Sequence, residues 1–426
     1  MKRRATRVGV LATTLSMALM VSGCGRDDDS EGSAPGVTDD PCPNAIDEEN
    51  GCISLGVITD LTGLFKGVGV PFNEGQKAFW AEVNKAGGIG GYEVDITTNV
   101  EDSGYDPDKH AAAYEKIKDN VAALAQSLGT AQTNAILSDA KDESMVLGPV
   151  SLGSNWIFED IAIEVGTNYC AEAMNIVDYA VDTLGAKKVA AVHFPGDYGD
   201  DAMVGARIAA EARGIDFVDI TTAPGAEEQA PAISALVKAK PDVVVVSTGP
   251  IEMAAIVGGG YQAGVQKPYI GSIPSWNSAV LESPAGPAIE ALYMQASAFP
   301  TWDADTPGSE AMRAAAGATA PNDWYNLGWA GAYVMKAVLE KAIEDDDLSR
   351  EGILEAATSL TDVDSQGMLP DGSGNYAGDP NEAAVRVTQL NKVDKKAASK
   401  VSVAEAPFTG PTATDYNFEE PCYLQK

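Results

Sequence analysis

The sequence predicts an α/β protein built from two doubly wound lobes, and three observations carry that expectation. Short β-rich runs alternate with longer amphipathic runs from Ile53 onward, and the alternation restarts after Cys170. Strand candidates such as Val243–Val246 are apolar without alternation, the pattern of parallel strands covered on both faces. The chain is also long enough for two cores, so two βα series imply two lobes.

In the first series, Ile53–Ile58 reads as a strand and Phe72–Asn84 as a helix stopped by Gly87 and Gly88. Glu93–Thr98 is the next strand. Asp106 and Pro107 supply an N-cap and a first-turn proline for a helix reaching about Asp119. Strand Val121–Gln126, helix Ala131–Glu143 and the short strand Met145–Gly148 follow. The second series begins with helix Ala171–Leu184, strand Val189–His193 and helix Gly199–Arg213. Phe217–Ile220, Gln229–Lys238, Val243–Val246, Ile251–Gln262 and Tyr269–Ser272 continue strand, helix, strand, helix, strand. Past Pro300 the rhythm weakens. Trp324–Ile343 reads as one long helix, Gly367–Asp379 as a turn-rich stretch and Ala384–Leu390 as a late strand.

The N-terminus reads as an export signal. Lys2, Arg3, Arg4 and Arg7 precede the apolar run Val8–Val21, which is shorter than the ~20 residues of a membrane span. The run ends in VSGC at 21–24, which resembles a bacterial lipobox, so residues 1–23 are expected to be removed and Cys24 lipidated. Residues 24–52, rich in Asp, Ser, Gly and Pro at their start, are expected to form a disordered tether. The expected location is the outer face of the cell membrane, with the lipid as the only membrane contact.

A formal net charge of −33 argues against binding nucleic acid or anionic lipid through surface charge. Besides Cys24, the cysteines are Cys42, Cys52, Cys170 and Cys422, an even number in an oxidising compartment. Cys42 and Cys52 are near neighbours able to staple the tether to the first strand, which leaves Cys170 for Cys422. The rival reading, a metal site, finds no CxxC spacing and only His110 and His193. No phosphate-cradling P-loop and no G-x-S-x-G elbow occur, so an enzyme is not expected, nor a cofactor.

Several runs in fixed order then point to a family. They are ISLGVITDLTG at 53–63, Gly75, NKAGGIGG at 84–91, EDSGYDP at 101–107 and VHFPGDYG at 192–199. Together they resemble the branched-chain amino-acid-type substrate-binding proteins of ABC transporters, which have the type I periplasmic binding fold. The resemblance implies two Rossmann-like lobes joined by a hinge crossed three times, with solute held between them. By that analogy lobe one is 53–168 plus 299–356, and lobe two 170–298 plus 357–422.

Site candidates follow from the same analogy and from the rule that ligands bind beyond the carboxyl ends of strands. Thr130 and Ala131 lie between a strand and a helix, where the family uses a hydroxyl; the alternative is a hydroxyl that caps its own helix. Val150, Ser151 and Leu152 follow the next strand, where the family's threonine is missing and Ser151 or Ser154 is the substitute. Tyr198 matches a family tyrosine at the cleft edge. Phe65 and Trp276 are candidate cleft aromatics. Family members that bind amino acids place an acid after the strand ending here at Ser272, yet no Asp or Glu occurs between Gly271 and Leu281. Glu252 or an acid beyond Pro300 would have to replace it. The implied function is capture of a small solute by a monomer for an ABC permease and ATPase. The preferred solute is expected to carry a carboxylate or amide on an apolar or aromatic body. The alternative is a tethered sensor that reports occupancy to a membrane signalling partner.

Overall fold

The computed structural model describes residues 33–370 and 372–425. The predicted signal segment and the lipidation candidate Cys24 lie outside the described residues. Among the described residues, no helix is long and apolar enough to cross a membrane.

Two sheets form the two lobes. The first contains β1 (Val37–Thr38), β2 (Gly51–Thr59), β3 (Tyr92–Asp95), β4 (Val100–Asp102), β5 (Ala123–Leu128) and β6 (Leu147–Val150). Its main path is β1-β2-β5-β6, with β3 and β4 also pairing with β2, and all of these pairings are parallel except β1 with β2. The second contains β7 (Lys188–His193), β8 (Asp216–Thr221), β9 (Val243–Ser247), β10 (Tyr269–Gly271), β11 (Tyr293–Ser297), β12 (Thr388–Val393) and β13 (Val401–Phe408). They run in the order β13-β12-β11-β10-β9-β7-β8, parallel apart from the late strands β12 and β13. The four valines of β9 are all buried, as a strand covered on both faces requires.

Helices α1 (Lys66–Lys85), α2 (Pro107–Ile117), α3 (Thr130–Asn134) and α4 (Leu137–Asp142) accompany the first series. Helices α5 (Tyr169–Asp182), α6 (Asp197–Arg213), α7 (Ala230–Ala239), α8 (Pro250–Gln262) and α9 (Gly286–Leu292) accompany the second. The chain then returns with α10 (Pro307–Ala316), α11 (Asp323–Glu344) and α12 (Arg350–Ser359), of which α10 and α11 pack on α1. It therefore passes between the lobes three times, after β6, after β11 and before β12. The Asp106 cap forms as expected, accepting from the amides of Asp108 and Lys109.

Both disulfides form with the expected partners, Cys42–Cys52 and Cys170–Cys422. The second clamps the C-terminal tail onto the start of α5. Gly205 permits the adjoining helix contact, since a Cβ there would stand 2.1 Å from the Cys170 carbonyl oxygen.

Three expectations need correction. The tether is not disordered through residue 52. Val37 and Thr38 pair with Ile53 and Cys52, and the buried Glu93 carboxylate accepts the Ile46 and Asp47 amides. The first helix begins at Lys66, not Phe72, because Pro71 is carried inside it. Proline has no N–H to give the carbonyl four residues back, so the Gly67 oxygen is free of that bond. Finally, the late strand is shifted to β12 and followed by β13, with register irregularities near Leu390.

Candidate functional site: an apolar cavity between the lobes

The cavity forms where loops at the carboxyl ends of both sheets meet. After β2, the buried Asp60 carboxylate accepts from the amides of Thr62, Gly63 and Phe65, at 3.1, 2.5 and 2.7 Å. This turn sets Phe65 at the start of α1, with its ring centroid 4.5 Å from that of Tyr105. After β5, Gly129 adopts φ +103°, open to glycine at little cost, and α3 starts at Thr130. After β6, Val150, Ser151 and Leu152 face the same space.

Lobe two supplies Tyr198 from the start of α6, and Ile273 and Pro274 from the turn after β10. Tyr169 joins from the first turn of α5, with its ring centroid 4.6 Å from that of Tyr198. Phe72 on α1 and Trp324 and Leu327 on α11 close the lobe-one side. The space between these residues is about 580 Å³ with the solvent at its mouth included, and about 40 Å³ of it is closed off within.

Six of the eight expected contact residues line it: Phe65, Thr130, Val150, Ser151, Leu152 and Tyr198. Two do not. Ala131 points to solvent, since on a helix it lies well round from the buried Thr130 and Thr133. Trp276 turns into the second lobe's own core and stacks on Tyr293, centroids 5.6 Å apart and planes at 14°. The cause is the turn after β10: the Ser275 hydroxyl bonds the Ser272 carbonyl and the Tyr293 hydroxyl, which points Ile273 and Pro274 at the cavity instead. Sequence reasoning missed Tyr105, Tyr169 and Trp324. The Trp324 indole N–H lies 3.5 Å from the Trp276 carbonyl oxygen.

The polar groups divide into engaged and free. Ser151 Oγ accepts the Trp156 indole N–H at 2.9 Å. Ser154 is occupied elsewhere: its hydroxyl meets Asp201 at 2.5 Å and accepts the Cys422 amide at 2.8 Å, so it belongs to the clamp on the tail. Tyr198 donates to the Thr248 carbonyl at 3.2 Å. Thr130 is different. It is 2% exposed, makes no cap bond, and its hydroxyl has no protein partner. Burial raises the pKa of Tyr105, and raises Tyr169 and Tyr198 well above the usual phenol value, so all three stay uncharged.

No charged side chain is among the lining residues. Glu252 is not the missing acid, because its carboxylate accepts the Gly225 amide at 2.7 Å on another side of α8. Glu172 comes closer. It sits in the first turn of α5 against Ser272 and Ile273, near the end of the strand where amino-acid binders of the family carry their acid. It stays behind the wall, 2% exposed, and desolvation pushes its pKa up to about 8 despite the Ser272 hydroxyl and Ile273 amide. At neutral pH it is therefore mainly a neutral acid. A ligand meets an apolar and aromatic surface, the unpartnered Thr130 hydroxyl beside neutral phenols, and no fixed charge.

The sequence pattern of a family described as periplasmic binding protein matches residues 52–398. This chain belongs to the periplasmic binding protein family. Solved members share its fold at low identity. A fatty acid ABC transporter substrate-binding protein from Thermomonospora curvata is 28% identical, with TM-score 0.80, covering 90% of this chain and 96% of that one. A branched-chain amino acid ABC transporter protein from Thermus thermophilus with bound valine is 16% identical, with TM-score 0.74, covering 85% and 98%. The substrate-binding protein LivJ from Streptococcus pneumoniae, in complex with isoleucine, is 17% identical, with TM-score 0.67, covering 83% and 100%. No curated protein matches the chain in sequence. Both the fatty acid and the branched-chain amino acid neighbours are described as belonging to ABC transporters.

Proposed function

We propose that this protein captures an apolar monocarboxylic acid of the fatty-acid class and delivers it to an ABC importer, working outside the membrane from a lipid anchor on Cys24. The carrying observation is the lining: apolar and aromatic side chains from both lobes, no charge, and the unpartnered Thr130 hydroxyl. An amino acid would bring an ammonium that needs an anionic partner, and leaving it without one costs on the order of several kcal/mol. A monocarboxylate brings a single charged group, which hydrogen bonds can meet or protonation can remove. Its alkyl body gains about 0.8 kcal/mol per buried methylene, and its head takes hydrogen bonds from Thr130 and neighbouring neutral phenols. The fatty acid protein at 28% identity supports the same substrate class. Contacts with both lobes favour the closed form, which is the form an importer recognises.

Calorimetry tests this reading. Dodecanoate is expected to bind at micromolar Kd or tighter, with leucine, isoleucine and valine at least a hundredfold weaker. Tight leucine binding would refute it. Thr130→Val keeps the shape and removes the donor, and should weaken dodecanoate binding by about 10-fold or more, in line with roughly 1.5–3 kcal/mol for a hydrogen bond to a charged group. For the anchor, Cys24→Ser should abolish incorporation of labelled fatty acid into the exported protein; continued labelling would show that the lipid is attached elsewhere.

A further inference from the structure

A second apolar space lies just outside the cavity. It is an open groove of about 1380 Å³ between the start of α1 and the face formed by α8 and residues 277–285. Its surface includes Leu64, Ile251, Ala254, Ala255, Ala279 and Val280. Leu64 and Ile251 are 42% and 59% exposed. Lys66 is its one charged lining residue.

The two spaces share their walls. Along the α1 entry, Phe65 and Val68 face inward while Leu64, Lys66 and Gly67 face the groove. Along the segment after β10, Ile273 and Pro274 face inward while Asn277, Ala279 and Val280 face the groove. Where the walls meet, the Asn277 side-chain amide reaches the Gly67 carbonyl at 3.5 Å. That carbonyl is the one Pro71 leaves without its helical partner. A hydrogen bond this long between surface groups is a weak closure between two walls that the cavity and the groove line from opposite sides.

We propose that the groove is a second subsite for the ligand, taking the distal part of an alkyl chain whose carboxyl end and first methylenes occupy the cavity. The inference rests on the fatty-acid reading above and adds to it a preference for chains too long for the cavity alone. The groove's chemistry suits this occupant, because an alkyl tail needs apolar surface and no hydrogen-bond partners. Such a ligand requires the lobes to part far enough to open the Asn277–Gly67 contact.

The test is calorimetry on the full exported chain with octanoate, dodecanoate and hexadecanoate, each below its micelle threshold. In the native protein, affinity should keep rising from dodecanoate to hexadecanoate, up to about fourfold per added methylene. Ile251→Asp places a carboxylate in the groove at the first turn of α8, a position that favours acids and so should not harm folding. Ala279→Asp does the same from the opposite wall. Both variants should bind octanoate as the native protein does and hexadecanoate at least tenfold more weakly. Unchanged hexadecanoate affinity in both variants overturns the subsite. So does normal binding at every length with uptake lost, since the groove would then be a surface for the importer. If no acid of any length binds, the fatty-acid reading falls and the subsite with it.

Discussion

Replacing Cys170 and Cys422 together by alanine should lower the unfolding free energy by about 5 kcal/mol, because this bridge closes a loop spanning a sequence separation of 252. The same change at Cys42 and Cys52, with a separation of 10, should cost roughly 3 kcal/mol. The first bridge acts where the tail is also held by polar contacts. The Cys422 amide donates to Ser154, the Tyr423 amide donates to Asp201, and Arg207 donates to the Gln425 carbonyl. Urea unfolding of the double variant should show a much lower midpoint, and limited proteolysis should nick the tail after Phe418 first. An unchanged midpoint would mean that the polar contacts alone hold the tail in both folded and partly unfolded chains.

Stability should fall by several kcal/mol as pH rises from about 5 to 8. Buried acids set the direction. Desolvation pushes Glu172 up to about 8, and pushes Asp201 up to about 7 against the hydrogen bonds it accepts from Ser154 and Tyr423. Desolvation and the nearby Asp201 charge hold Glu164 well above its usual value as well. A raised acid keeps its proton in the folded chain and loses it in the unfolded one. Folding thus binds protons between the unfolded and folded pKa values, and each proton removes roughly 1.4 kcal/mol of stability per pH unit across that window. Below pH 4 the trend reverses, since hydrogen bonds and the Lys118 and Arg350 charges hold Asp102 and Glu143 below their usual values. Thermal denaturation across pH 4–9 should therefore peak on the acid side of neutrality. Glu172→Gln should flatten the alkaline limb and leave dodecanoate affinity unchanged. A flat profile in the native protein would show that Glu172 and Asp201 are already ionised when folded.

The features legible in the sequence were those set locally or by elimination. Alternating strands and helices predict both lobes, and four cysteines beyond the predicted signal segment leave few pairings. The turn glycine before Thr130 marks the end of a strand, and Thr130 is indeed buried there. What escaped depends on rotations that local pattern does not encode. Trp276 sits where a cleft aromatic is wanted, but the hydroxyl bonds of Ser275 swing it to Tyr293. Glu172 reads as an ordinary first-turn acid on a helix, and only the packing of α5 against the end of β10 shows its proximity to Ile273. Pro71 reads as a helix start because its missing N–H usually excludes it from the interior, yet here the orphaned carbonyl finds a donor in the other lobe. β13 escaped because its outer residues alternate irregularly along an edge strand with a shifted register.

The contact between Trp324 and the Trp276 carbonyl makes the molecule its own optical gauge. One indole belongs to α11, on the first lobe, and faces the cavity, while its N–H is directed at a carbonyl of the second. Any separation of the lobes would expose that ring to water and break its only interlobe polar contact. Emission should shift to the red when the lobes part and back to the blue as an alkyl chain displaces solvent from the ring. Trp324→Phe would silence the signal, so closure could be followed in real time without attaching a dye.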